Sequence, residues 1–327
     1  CTIDMLEPSG ELRRAAGGAP GGPEVADPAR RIVVPLRARG RELGTLTLGL
    51  GPSGRAYDDG DRALALQLGR RAGLAIDNAR LYDDQRLIAT TLQRSLLPPA
   101  LPRIPGLDVA ARHRPMDMGD GVEVGGDFYD LFAAGRSWVA AIGDVCGKGI
   151  DAAALTSLAR HTLRALARDD PAPGVTLERL NDAIVAERGL AARFLTVACA
   201  RVVPDGAGVA ATAASAGHPL PLVVRASGRV EPLGRPGTLL GPLADVRVHE
   251  ETTRLAPRDA LVLYTDGVTE SRRDGVMFGE ERLASLLSGV AGRAAGEIAD
   301  AVERAASAHH GGPLDDDLAL LVLRVEP

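Results

Sequence analysis

Residues 260–270 read Ala-Leu-Val-Leu-Tyr-Thr-Asp-Gly-Val-Thr-Glu, an apolar strand that runs directly into an acidic turn. The same design recurs at residues 138–144, where an apolar run ends in Gly-Asp. It is reversed at residues 316–325, where Asp-Asp precedes the run Leu-Ala-Leu-Leu-Val-Leu-Arg-Val. Each pattern predicts a buried strand with a carboxylate at one end.

A fourth acidic turn, Gly125-Gly126-Asp127, lacks a preceding apolar strand. Buried carboxylates are costly unless they are paired or bind a metal ion, whereas a single Asp in a turn is usually a turn residue. If the four turns converge, their oxygens would suit hard cations such as Mg²⁺ or Mn²⁺. The residue types alone leave a metal site and a set of ordinary acidic turns equally open.

The composition predicts an ordinary globular protein. The chain has 327 residues, of which 45% are apolar and 25% charged, a length that suggests two domains. A net charge of −5 gives no reason to expect nucleic acid or an acidic membrane as a partner, and the apolar runs are too short to span a bilayer. Three cysteines without a CxxC pair indicate a reducing, cytoplasmic location. The first residue is Cys rather than Met, which indicates a fragment.

The N-terminal third predicts a small α+β unit followed by a long helix. The Gly- and Pro-rich residues 7–29 predict loops, and residues 31–36 and 43–50 predict strands. A helix is predicted from about residue 58 to the proline pair at 98–99. Its small apolar residues follow a heptad-like spacing, at Leu68, Ala72, Ala75, Ala79 and Tyr82. That spacing leaves open a helix packed on its own domain or, from residue 83 onward, a helix that pairs with a second copy.

The rest of the chain predicts an α+β fold. Short strands bounded by Gly, Pro and Asp are expected at residues 109–114, 137–142, 196–203, 209–214, 220–224, 246–252, 260–264 and 318–325. Helices are expected at residues 152–166, 177–188, 280–287 and 295–308. This order favours antiparallel sheets covered by helices. His218, in a turn between two strands, is interpreted as a structural residue.

Five motifs in a fixed order resemble those of the bacterial type 2C metal-dependent protein phosphatases, in the branch of stage II sporulation protein E and the RsbU-type regulators. The resemblance covers about residues 98–327. The motifs are Val124-Gly-Gly-Asp-Phe-Tyr-Asp130, Gly143-Asp-Val-Cys-Gly-Lys-Gly149, Ala214-Ser-Ala-Gly-His-Pro219, Tyr264-Thr-Asp-Gly-Val-Thr-Glu270 and Asp316-Asp-Leu-Ala319. The resemblance implies a sandwich of two antiparallel sheets flanked by helices.

The resemblance also implies a two-metal centre that holds Mn²⁺ or Mg²⁺. Asp144 would bridge the ions, while the Val145 carbonyl and Asp127 would complete the site of one of them. Asp266 and Asp316 would bind the other ion. A water shared by two cations ionises near neutral pH and can attack a phosphomonoester, so these ligands would be catalytic through their metals.

This sequence departs from the family pattern at two points. Cys146 stands where this branch often has Ser, which leaves the acid for the leaving group unassigned. No counterpart of the phosphate-binding Arg is evident, and Arg112 and Arg114 are candidates by position only. Lys148, the single lysine of the chain, falls inside the Gly-Lys-Gly motif.

The predicted organisation is a partial GAF-like sensor domain at residues 1–82, a helical linker at 83–98 and a phosphatase domain at 99–327. The expected function is a serine/threonine phosphoprotein phosphatase that acts on a phosphorylated STAS-type anti-sigma-factor antagonist, as a homodimer through the linker helix. The alternatives are a non-catalytic dimeric signalling module with a phosphatase-like domain and a phosphohydrolase of small molecules.

Overall fold

The computed structural model describes residues 1–7, 11–17, 30–50, 56–116, 125–169, 172–187, 194–206, 208–312 and 316–327. Internal contacts divide the chain into two compact units, Cys1–Leu87 and Ile88–Pro327. Among the described helices, none is both long and apolar enough to cross a membrane. The predicted boundaries at residues 82 and 98 stay predictions, because this division falls between them.

The first unit contains a four-stranded antiparallel sheet. Its strands are β1 (Thr2–Leu6), β2 (Leu12–Gly17), β3 (Arg31–Ala38) and β4 (Arg41–Gly49), in the spatial order β2-β1-β4-β3. The two strands predicted at 31–36 and 43–50 are confirmed. The prediction of loops throughout residues 7–29 is wrong at β2. This segment has loop-like composition but forms a strand because it pairs with β1. Residues 8–10 and 18–29 of that stretch lie outside the described residues.

Helix α1 (Asp59–Leu96) packs on the sheet of the first unit through a face of small residues. Its buried positions recur every four residues, at Ala65, Gly69, Gly73 and Asp77. A Cβ on Gly73 would lie 2.6 Å from both the backbone N and O of Arg37, so glycine permits the close approach of helix and strand.

The heptad-like positions of α1 lie on a different face. Leu68 is 45% exposed and Tyr82 is 56% exposed, Ala75 and Ala79 are also exposed, and Ala72 is half-buried. The first half of the helix therefore packs on its own unit, which was one of the two interpretations left open. Pairing through the exposed face stays a prediction, and the side chains of residues 85–96 lie outside the described part.

The second unit builds two further antiparallel sheets. The strands that form them are β5 (Leu107–Arg114), β6 (Phe128–Ala134), β7 (Ser137–Val145), β8 (Leu195–Pro204), β9 (Val209–Ala216), β10 (Leu222–Val224), β11 (Val230–Pro232), β12 (Glu251–Leu255), β13 (Ala260–Tyr264) and β16 (Leu318–Val325). A small hairpin pairs β14 (Arg272–Arg273) with β15 (Val276–Met277). The helices are α2 (Ile150–Asp169), α3 (Pro173–Ala186), α4 (Asp266–Thr269), α5 (Glu280–Gly289) and α6 (Ala295–His310).

The two sheets form the sandwich that the family resemblance implies. One has the order β11-β10-β13-β16-β5 and the other β12-β9-β8-β7-β6. Side chains from both, including Leu131, Ile142, Leu263 and Leu321, form the core between them. Helices α2 and α3 cover the outer face of the β7 sheet, and α5 and α6 cover that of the β16 sheet. All eight residues of β16 are buried because both of its faces are covered, which explains its continuous apolar run.

Strand β6 was not expected from the sequence. Its residues show no alternation because Leu131 packs into the core between the sheets while Phe128 and Phe132 pack under α2. The strand predicted at residues 246–252 is also misplaced, since β12 begins only at Glu251. The predicted strands 260–264 and 318–325 agree with the structure at both ends.

Candidate metal centre

The register of the strands brings the acidic turns to one end of the sandwich. Phe128 of β6 pairs with Gly143 of β7, so Asp127 and Asp144 become neighbours on one sheet. On the facing sheet, Asp266 lies two residues after the end of β13 and starts α4. Because β13 and β16 pair antiparallel, with Tyr264 opposite Leu320, the start of β16 lies beside Asp266.

Three of the predicted ligands meet at this end. Carboxylate oxygens of Asp127, Asp144 and Asp266 all lie within 4.8 Å of one another. Asp127 is only 5% exposed, whereas Asp144 and Asp266 are half-buried. The residue types alone could not decide whether the acidic turns converge. The structure shows that three of the four turns do.

The pair Asp316-Asp317 contributes two carboxylates in different environments. Asp317 is buried, and its Oδ1 accepts a hydrogen bond from the Met116 backbone N–H at 2.8 Å. Its Oδ2 is buried without a hydrogen-bond partner among the described residues. Asp316, the predicted ligand, is exposed and accepts a hydrogen bond from the backbone N–H of Asp317 at 2.9 Å. Asp315 lies outside the described residues.

Glycines allow the backbone to close around the cluster. A Cβ on Gly126 would lie 2.2 Å from the Val145 carbonyl oxygen and 2.5 Å from Asp144 Oδ1. A Cβ on Gly267 would lie 1.8 Å from the Asp317 carbonyl oxygen. The loop that contains Gly126 therefore presses against the Val145 carbonyl, which the resemblance names as a backbone ligand.

Burial and mutual repulsion disfavour the ionised form of the carboxyl groups in the cluster when no cation is bound. Burial, with the charges of Asp266 and Asp316, raises the pKa of Asp144 to about 7. Burial likewise raises the pKa of Asp127 well above its usual range, with Asp144 contributing further. The pKa of Asp266 and that of Asp317 are also raised, chiefly by burial. A divalent cation would relieve this repulsion, and an all-oxygen donor set is the kind that Mg²⁺ and Mn²⁺ prefer. The residues present therefore fit such an ion.

A family model described as Stage II sporulation protein E (SpoIIE) matches residues 134–326, more than half of the chain. The chain belongs to the SpoIIE family. It is 29% identical to the phosphoserine phosphatase RsbU of Bacillus subtilis, over 72% of this chain and 69% of that protein. It is 28% identical to Protein IcfG of Synechocystis, over 71% of this chain but only 40% of the length of that relative.

The solved structures agree on the fold of the second unit. The SiaA-PP2C domain of Pseudomonas aeruginosa superposes with a TM-score of 0.65 at 22% identity, over 77% of this chain and 100% of that domain. The sandwich is thus the fold of type 2C protein phosphatases. The GAF resemblance of residues 1–82 stays a prediction.

Two arginines of α2 neutralise the last aspartate of the first SpoIIE-family motif. Asp130 is fully buried and accepts hydrogen bonds from Arg160 Nε at 3.0 Å and from Arg164 Nη2 at 2.7 Å. Asp130 is therefore bound to α2 and is not a member of the cluster. The arginines could have been suspected from their spacing of four on one helix face, which places both near the same partner.

The position-based candidates for a phosphate-binding arginine are wrong. Arg112 Nε donates to Asp300 Oδ1 at 2.8 Å, and Arg114 lies 3.6 Å from Glu303. Both guanidinium groups therefore bind acidic residues of α6, on the outer face of the sheet. Lys148 lies nearer the cluster: its Nζ is 3.1 Å from Met116 Sδ, and its charge lowers the pKa of Asp317.

Thr265 was missed in the sequence although it lies inside the motif quoted first. Its hydroxyl donates to Asp127 Oδ2 at 2.7 Å and accepts from the Ala319 backbone N–H at 2.9 Å. His218 is buried, as a structural residue should be, and contacts Thr196 and the Tyr264 carbonyl. For Thr265, the available signal was its position between strand β13 and Asp266.

Gly126→Ala is expected to weaken Mn²⁺ binding by at least about tenfold, because the added methyl would displace the Val145 carbonyl or the Asp144 carboxylate. Titration calorimetry on the metal-free protein measures the change. Gly296→Ala is the matched control, since a Cβ at this helical position meets no atom within 4 Å. Equal affinity for Mn²⁺ in the wild type and the Gly126 variant would contradict the prediction.

Proposed function

We propose that this protein is a metal-dependent phosphatase that hydrolyses phosphoserine and phosphothreonine in proteins. The observation that carries the proposal is the approach of Asp127, Asp144 and Asp266 to within 4.8 Å at one end of the sandwich. Membership of the SpoIIE family and similarity to a protein named phosphoserine phosphatase support this reaction class for the carboxylate centre. A non-catalytic module is less favoured, because it would tolerate the loss of a member of this costly cluster.

In this proposal Asp144 would be shared by two divalent cations, either Mn²⁺ or Mg²⁺. The Val145 carbonyl and Asp127 would hold one of them, and Asp266 and Asp316 would hold the other. Two such cations supply a water that ionises near neutral pH and offset negative charge on the phosphoryl oxygens. The raised pKa of Asp144 supports this assignment, because a carboxylate that resists ionisation alone gains most from a cation.

The residues of the chain itself orient the ligands. The Thr265 hydroxyl donates a hydrogen bond to Oδ2 of Asp127 and so restricts the rotation of that carboxylate. The backbone N–H of Val145 donates to the Gly126 carbonyl at 3.3 Å, which ties the loop before β6 to the end of β7. With water as the attacking group, the reaction needs no serine or cysteine nucleophile.

We further propose that the substrate is a phosphorylated STAS-type anti-sigma-factor antagonist and that the protein acts as a homodimer through the linker helix at residues 83–98. The similarity to RsbU supports the substrate class. The exposed side chains of Leu64, Leu68 and Tyr82, in the part of α1 that precedes the linker, support a dimer through this helix. A cytoplasmic location remains a prediction from the sequence, which has three cysteines and no CxxC pair.

A phosphatase assay with metal titration tests the proposal. Hydrolysis of p-nitrophenyl phosphate, of a phosphoserine peptide and of a phosphorylated STAS-type protein should appear with Mn²⁺, vanish with EDTA and return when Mn²⁺ is restored in excess. The phosphorylated protein should give the highest kcat/KM. Hydrolysis that persists in EDTA, or no hydrolysis of any of the three substrates with Mn²⁺ or Mg²⁺, would rule out the proposed reaction.

A further inference from the structure

The carboxylates of the cluster come from two different sheets. Asp127 and Asp144 belong to the β6–β7 edge of one sheet, while Asp266 follows β13 of the other. Facing sheets are held about 10 Å apart by their side chains, and nothing in that packing fixes the spacing at the strand ends. A centre shared between two sheets therefore depends on contacts that cross from one sheet to the other.

Thr265 makes the first such contact. It is buried and directly follows β13, and its backbone N–H donates to the Ala319 carbonyl at 3.1 Å. The hydroxyl oxygen accepts the Ala319 N–H, which leaves the hydroxyl proton to be donated to Asp127 Oδ2 at 2.7 Å. A side chain fixed by β16 of one sheet thus holds a carboxylate of the other.

His218 makes the second contact from the opposite direction. It follows β9, and Ser215 fixes its backbone by accepting the His218 N–H at 3.2 Å. Nδ1 lies 2.7 Å from the Thr196 hydroxyl, and Thr196 is the strand partner of Asp144. Nε2 lies 3.1 Å from the Tyr264 carbonyl, two residues before Asp266. The imidazole therefore links Thr196, on the strand paired with that of Asp144, to Tyr264 on the other sheet.

The protonation of the imidazole follows from its partners. A backbone carbonyl can only accept, so Nε2 carries the proton and donates to Tyr264. Burial lowers the pKa of His218 to about 3, so the ring is neutral and Nδ1 accepts from the Thr196 hydroxyl. Every polar atom of the ring is thus satisfied, and the bridge adds no charge to the cluster.

We propose that Thr265 and His218 act together as a cross-sheet clamp, a pair of positioning residues that fixes the spacing of the carboxylates before metal ions bind. This inference rests on the proposed function, because it assigns the spacing to a divalent metal centre. Neither residue touches the reacting phosphate in this assignment. The clamp acts on affinity for the metal by holding the ligands in place, as hydrogen-bonded neighbours of metal ligands commonly do.

Thr265→Val tests the first arm of the clamp, because it keeps the shape of the side chain and removes the hydroxyl. The dissociation constant for Mn²⁺, measured by calorimetry on the metal-free protein, should rise about 10- to 100-fold. Thr265→Ser should restore it to within about threefold, since the hydroxyl returns. Thr176→Val is the matched control: Thr176 is buried in α3 and donates to the Ala172 carbonyl, so its loss should lower the melting temperature without changing Mn²⁺ affinity.

Two amide substitutions test the second arm. The terminal nitrogen of glutamine can stand where Nε2 of histidine stands, whereas asparagine is too short to reach it. His218→Gln should therefore keep the donor to Tyr264 and bind Mn²⁺ more tightly than His218→Asn. Melting temperatures of the metal-free variants show whether each protein is folded.

The outcomes separate the clamp from the function it rests on. If the wild type binds Mn²⁺ and hydrolyses a phosphoserine peptide while Thr265→Val binds Mn²⁺ equally well, the clamp is wrong and the phosphatase stands. Equal affinity in His218→Gln and His218→Asn would also overturn the clamp. A wild type that binds neither Mn²⁺ nor Mg²⁺ would overturn both proposals.

Discussion

Asp144→Asn is expected to abolish phosphatase activity and to raise the melting temperature of the metal-free protein at pH 7.5. In the proposed centre Asp144 bridges both cations, so losing its charge should lower kcat/KM by more than about 1,000-fold, or about 4 kcal/mol of transition-state stabilisation. The same change removes a half-buried charge that Asp266 and Asp316 repel. Function and stability should therefore move in opposite directions.

The stability effect has a predicted pH dependence. An aspartate ionises near pH 3.9 in an unfolded chain, whereas Asp144 has a pKa of about 7 in the folded protein. Between these values the folded state binds more protons than the unfolded state, so stability falls as pH rises. Asparagine carries no such penalty. The variant should melt roughly 5 °C above the wild type at pH 7.5, and the difference should vanish near pH 4.

Thermal unfolding in EDTA at several pH values measures this effect. Asp182→Asn, a change of an exposed aspartate on α3, is the matched control and should melt with the wild type throughout. The electrostatic account is wrong if Asp144→Asn melts at or below the wild type at pH 7.5. It is also wrong if the difference does not shrink in acid.

The sequence predicted the strands in which the local pattern of apolar residues matches the pattern of buried residues in the structure. Strands β13 and β16 agree at both ends because covered faces require an unbroken apolar run. Strand β6 was missed because it follows Gly-Gly-Asp, which has turn composition, and becomes a strand by pairing with β7. Strand β2 was missed for the same reason, because it becomes a strand by pairing with β1.

The sequence motifs predicted which residues form the candidate site, but not how those residues are arranged in space. The order of the motifs pointed to four aspartates, of which the structure brings Asp127, Asp144 and Asp266 together and leaves Asp316 exposed. The contacts of Thr265 and His218 could not be predicted, because they join residues that are distant in the chain. The error at Arg112 has the same origin: position along the chain does not reveal that β5 presents this side chain to α6.

The second large effect concerns which aspartate of the Asp316-Asp317 pair binds the metal. The proposal assigns Asp316, and Asp316→Asn is expected to lower phosphatase activity by about 100-fold or more and to reduce the number of Mn²⁺ ions bound. The negative charge of Asp316 contributes to the raised pKa of Asp144 and of Asp266, which supports the assignment. Turnover and calorimetric stoichiometry measure the two effects.

Asp317→Asn is the matched substitution, and it should keep activity within about tenfold of the wild type. The amide oxygen can still accept the Met116 N–H, so the contact between this residue and the end of β5 is kept. Neutralising Asp317 also removes a charge that raises the pKa of both Asp127 and Asp144, so the metal-free variant should melt above the wild type.

The reverse outcome has a definite structural meaning. If Asp317→Asn is inactive and Asp316→Asn retains activity, the ligand lies one residue further along the chain. The buried Asp317 Oδ2, which has no hydrogen-bond partner among the described residues, would then be the oxygen that binds metal. In that case burial, and not the register of the motif, would be the better guide to the fourth ligand, because an unpartnered buried carboxylate oxygen is costly until a cation binds it.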